Sequence, residues 1–152
     1  MDERPYPEGI DKSWLASDRD GHVGVFVTAG CGPVPAWVLN PAYPLDQIED
    51  DILKLPKASD VDFPAGLAQA DRFADLAERG FYVYDWSDVH RTIQAYINAY
   101  ELLARPYRPL TLDQLPGDLA DVARSIRFTR LSFANAWRID VRAHMICRQA
   151  AS

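Results

Sequence analysis

Ser13-Trp14-Leu15-Ala16-Ser17-Asp18-Arg19-Asp20-Gly21-His22-Val23-Gly24-Val25-Phe26-Val27-Thr28 is the stretch that decides the fold. Two apolar runs flank an Asp-Gly pair. Such a pair between such runs marks a tight hairpin, because glycine accepts the positive φ that the turn needs. In the second run Val23, Val25 and Val27 share one face at the two-residue period of a strand, while Phe26 points the other way. Apolar residues on both faces predict a hairpin covered on both sides. Gly30, Gly32, Pro33 and Pro35 end it.

Working outward, the first dozen residues hold two prolines and many charges, and are expected to be loosely ordered. Beyond the hairpin a short helical turn is expected around Ala36 to Leu39. Pro44 to Leu55 reads as a helix, because Leu45, Ile48, Ile52 and Leu55 recur at helical spacing. Asp46, Asp50 and Asp51 then fall on its solvated side. Pro56 to Pro64 is expected as a loop. Ala65 to Arg79 reads as a second helix with Leu67, Ala70, Phe73, Ala74 and Ala77 inward, and Gly80 suits its C-terminal end. Phe81 to Trp86, rich in aromatic and β-branched residues, reads as a strand.

Residues 91–105 fit a helical and a strand period, and Pro106 favours a strand over Ala99 to Arg105, continuing into Leu110-Thr111-Leu112. Leu115-Pro116 opens a third helix with Leu119, Val122, Ala123 and Ile126 as its buried stripe. Phe128 to Phe133 is expected as the last strand, and residues 134–148 show no assignable period. The expectation is one α+β domain over 1–152: a mostly antiparallel sheet, an N-terminal hairpin and about three helices.

Composition agrees with a folded domain. The chain has 152 residues, 48% hydrophobic and 25% charged, enough to bury a core. Cys31 and Cys147 are too few and too far apart for a disulfide framework, so both are expected as free thiols in a reducing compartment. The charged opening Met1-Asp2-Glu3-Arg4-Pro5 lacks the apolar run of a signal peptide, and no run approaches a membrane span. A cytoplasmic location is expected, with no membrane partner. The net charge of -6 is uneven. Residues 1–75 hold 14 acids and 6 bases (-8), and residues 76–152 hold 8 acids and 10 bases (+2). An acidic half repels nucleic acid and attracts basic partners, although acidic surfaces also serve solubility alone.

No motif commits the chain to a chemistry. Asp18-Arg19-Asp20-Gly21 begins like a calcium loop, but the twelfth position counted from Asp18 is Ala29 where a bidentate Glu is needed. Asp85-Trp86-Ser87-Asp88-Val89-His90 gathers two carboxylates, a hydroxyl and an imidazole past a strand end. A carboxylate there would orient His90 for acid–base work, though Ser and Asp also make plain turns. Cys31, among small residues, would need His22 or His90 beside it to act as a nucleophile; a free Cys is more often a small buried apolar group. Zinc spacing is absent, His144 and Cys147 included. Arg124, Arg127 and Arg130, with Arg138 and Arg142 beyond, read as a solvated face rather than a nucleic-acid surface. No Gly-rich phosphate loop, nucleophile elbow or dinucleotide fingerprint occurs. No catalytic residue, cofactor site or metal site is therefore assigned.

Trp14-Leu15-Ala16-Ser17-Asp18, Gly21, Gly24-Val25-Phe26 and Gly30 to Pro35, with Asp85-Trp86-Ser87-Asp88, resemble segments of small uncharacterised bacterial proteins. Some of those look like immunity proteins, which bind and silence the toxin encoded beside them. The resemblance covers about a third of the chain and implies a protein-binding inhibitor of a cognate, basic toxin or enzyme. It carries no site residues. On charge and exposure, the candidate partner-binding residues are Asp18, Asp20, Asp46, Asp50, Asp51, Asp85, Trp86 and Asp88. Two alternatives are a small hydrolase-like enzyme or ligand-binding module around His90 and Asp88 or Cys31, and a structural or assembly subunit.

The thiol reading has a direct check. Alkylating the unfolded chain without reductant should add two modifications by mass, one each at Cys31 and Cys147; finding none would show a bridge.

Overall fold

A computed structural model describes residues 13–28, 47–63, 71–87 and 99–139. Within them seven strands form one mixed sheet in the order β3 (Val61–Asp62), β5 (Ala99–Pro106), β4 (Tyr82–Ser87), β2 (Val23–Val27), β1 (Ser13–Asp18), β6 (Arg127–Phe128), with β7 (Arg138–Ile139) also paired to β5. The hairpin is its centre. β1 (Ser13–Asp18) and β2 (Val23–Val27) run antiparallel with Trp14 opposite Phe26 and Leu15 opposite Val25. Gly21 takes φ 81 in the turn, as the Asp-Gly pair requires. β4 (Tyr82–Ser87) then pairs parallel to β2, and β5 (Ala99–Pro106) pairs antiparallel to β4. Four strand pairs are antiparallel and two parallel, an α+β sheet with an N-terminal hairpin.

The two faces of the sheet are closed differently. Ser13, Leu15 and Ser17 share a face with Val23, Val25 and Val27, and helices cover it. The first, α1 (Ile48–Leu53), buries Ile48 and Ile52. Its Glu49 accepts hydrogen bonds from Ser13 of β1 and from Arg72 of α2 (Asp71–Ala77). Arg79, just past α2, donates to the Leu53 and Leu55 carbonyls, satisfying the end of α1 where no intrahelical N–H remains. Gly80 follows with φ 101. The third helix, α3 (Gly117–Ser125), buries Leu119, Ala120 and Ala123, and the Ala123 carbonyl accepts from the Ser17 hydroxyl at 3.0 Å.

The opposite face is aromatic. Trp14, Phe26 and Tyr84 lie side by side on three neighbouring strands, stacked at centroid distances of 4.4 and 4.9 Å. Tyr100 meets Trp14 and Phe26 edge-on, and the Trp14 indole N–H donates to its hydroxyl. No helix covers this layer among the described residues. The chain from β6 (Arg127–Phe128) to β7 (Arg138–Ile139) does so, laying Phe128 and Phe133 against Phe26. The fit is tight at Gly24, where an added Cβ would come within 3.1 Å of the Phe133 ring and 3.2 Å of the Phe26 ring, so those rings would have to give by a few tenths of an ångström.

Several expectations need correction. The stretch 56–64 is not all loop, because β3 (Val61–Asp62) pairs there with Pro106 and Arg105. The expected strand Phe128 to Phe133 stops after Phe128, because the chain must turn across the aromatic face to close it. Leu110-Thr111-Leu112 does not extend β5: Thr111 makes a single bridge to His22, and a 3-10 turn begins at Leu112. The inward set assigned to the second helix omitted Leu76, which is fully buried. The expectations for 1–12, Ala36 to Leu39, Leu45, Leu67 and Ala70 fall outside the described residues.

The two hairpin glycines should differ in the reason for their cost. Gly21→Val, with open space around the Cβ but a positive φ, should lose roughly 1 kcal/mol or more in chemical denaturation. Gly24→Ala should lose a similar amount by overpacking, and Phe133→Leu should recover part of that loss in the double variant but nothing for Gly21→Val.

Candidate functional site

The hairpin turn concentrates polar atoms because β1 ends on an acid. Asp18 is fully buried, with 0% of its surface exposed. Its Oδ1 accepts the backbone N–H groups of Asp20 and His22, each at 2.9 Å, and its Oδ2 accepts that of Phe133 at 2.8 Å. A buried carboxylate is tolerable when donors replace its water, and three do so here. Asp18 is therefore withdrawn from the partner-binding set: it holds the turn to the covering chain and reaches no surface. Asp20 remains on the surface, 4.0 Å from the Arg19 guanidinium.

Ligand atoms of Asp18, Asp20 and His22 lie within 4.8 Å of one another. Two carboxylates and an imidazole are a plausible donor set for a divalent cation in kind. In geometry the set is poor, since a metal would compete for oxygens that already accept three N–H groups. The His22 ring is partly exposed and tilted over Tyr82 at 6.0 Å, and its buried Nδ1 makes no hydrogen bond among the described residues.

Next to this turn sit two tyrosines. Burial raises the Tyr82 phenol above its ordinary range, Asp18 and Asp20 add to the rise, and Arg105 opposes it. Burial drives Tyr84 further up, with Tyr82 and Asp18 adding to it. The Tyr84 hydroxyl donates to the Ala136 carbonyl at 2.6 Å, a second tie between sheet and covering chain.

The remaining acids scatter. Asp50 on α1 is exposed, whereas Asp51 is partly covered and pairs with Lys54 at 3.3 Å. Asp85 is partly buried on the helix-covered face, opposite Glu101, which in turn lies opposite Arg138. Trp86 is also corrected as a surface anchor: only 8% of it is exposed, and its ring meets Tyr100 edge-on at 5.2 Å. Asp46, Asp88, His90, Cys31, His144 and Cys147 lie outside the described residues. Arg124, Arg127 and Arg130 are exposed.

The exposed aromatic groups lie elsewhere, along the outer edge of β5. Trp137 is 54% exposed and Tyr107 is 66% exposed. The Trp137 carbonyl accepts the Leu102 N–H at 2.9 Å, which fixes its backbone to β5. Its ring carries the Arg105 guanidinium 5.5 Å from the centroid, and Arg105 is held from the other side by Asp62 at 2.8 Å. The β4–β5 register explains why Arg105 is there. Val83 faces Ala104 while Tyr84 faces Leu102, so Leu103 is an extra residue that turns the following side chains over. Sequence reading missed Asp62, Arg105, Tyr107 and Trp137. The only local signal was Tyr107 between Pro106 and Pro109, and the Asp62–Arg105 pair, 43 positions apart, left none.

No protein-family model, curated protein or solved structure significantly matches the chain.

Two measurements probe the turn and its neighbours. Asp18→Asn keeps one acceptor but sets an amide N–H₂ against the buried Phe133 N–H, so it should lower unfolding free energy by about 2 kcal/mol. In an alkaline titration followed by phenolate absorbance, Tyr82 and Tyr84 should ionise later than a free phenol, whose pKa is about 10. Neutral phenol is favoured in the fold, so the stability they add is complete below pH ~10 and is lost as pH rises through their native values. Tyr84→Phe should remove one group from the late-titrating class.

Proposed function

We propose that this chain is a protein-binding, immunity-like inhibitor that acts in the cytoplasm and neutralises a cognate basic toxin or enzyme. The observation that carries this reading is the exposed Trp137 ring, backed by the Asp62-clamped Arg105, which exposed Tyr107 follows two residues along the chain. Trp, Tyr and Arg are the residues most enriched where binding energy concentrates. Here the anchor is also ordered beforehand. Trp137 is tied through its carbonyl and Arg105 through its ion pair, so less freedom is lost on docking.

The acids take a different part. Asp20 and Asp50 are solvent-facing charges in the acidic half of the chain. They would raise the encounter rate with a basic partner rather than hold it. Asp46, Asp51, Asp85 and Asp88 belong to the same proposed field. The resemblance to immunity-like proteins leans the same way. Among those residues no helix is long and apolar enough to cross a membrane.

The test uses a partner captured on the immobilised protein from the source cell and then purified. Trp137→Ala should weaken its affinity by about 2 kcal/mol, roughly thirtyfold, mainly through faster dissociation and with little change in melting temperature. Asp46→Asn, Asp50→Asn and Asp51→Asn combined should slow association and flatten its salt dependence without moving the dissociation rate. Unchanged affinity for Trp137→Ala would remove this edge as the anchor. Unchanged association at low and physiological salt would remove Asp46, Asp50 and Asp51 as the steering charges.

A further inference from the structure

We draw no further inference here: the strongest candidate, the Asp18, Asp20 and His22 cluster at the turn of the β1–β2 hairpin, is an acidic cluster whose buried carboxylate is already taken up by three backbone N–H groups, and the unpaired Nδ1 of His22 belongs to that cluster on a partly exposed ring, so no independent observation points to a ligand there.

Discussion

The Asp18 carboxylate joins two parts of the chain that nothing in their local structure would bring together. One oxygen closes the turn between β1 and β2. The other holds the Phe133 N–H, 115 positions away. An ionised group in the interior is expensive unless donors surround it, so the turn and the covering chain must both be in place for Asp18 to be buried at all. That mutual requirement couples the first strand of the sheet to the last described segment. Once Phe133 is fixed, its ring fills the space that Gly24 leaves and rests against Phe26.

The sheet meets a common demand, burial of both faces, by two means. On one face the helices supply aliphatic stripes and are tied at their ends by polar contacts: Glu49 to Ser13 and Arg72, Arg79 to the carbonyls ending α1, and Ser17 to Ala123. On the other, large rings fill the layer. A stacked row of Trp14, Phe26 and Tyr84 buries much apolar area per residue, and a stretch with almost no regular structure lays Phe128 and Phe133 against its centre at Phe26. Tyr84 bonded to the Ala136 carbonyl and Asp18 bonded to Phe133 replace the hydrogen bonds that a helix would have made internally.

This arrangement links stability to the proposed binding surface. The same covering chain that closes the aromatic core ends at β5, where its Trp137 turns outward. The bulge at Leu103 brings Arg105 to that ring, and the two-residue β3 supplies Asp62 to hold it. The edge strands β3 and β7 are short, which limits uncontrolled pairing along that side of the sheet.

What the residues determined by themselves was local. Asp20-Gly21 between alternating apolar runs specified the hairpin, since turn chemistry and a two-residue period need no distant information. The same holds for the stripe of α3, for β4, and for β5 bounded by Pro106. Tertiary structure decided the rest. Asp18 and Asp20 look alike in sequence, yet one is wholly buried and the other exposed, because only Asp18 stands where Phe133 can reach it. Trp86 and Trp137 are equally apolar, yet the first is covered beside Tyr100 and the second is left at the edge of β5. Exposure depends on which segment covers a position, and that depends on contacts between residues dozens of places apart, which no local period records.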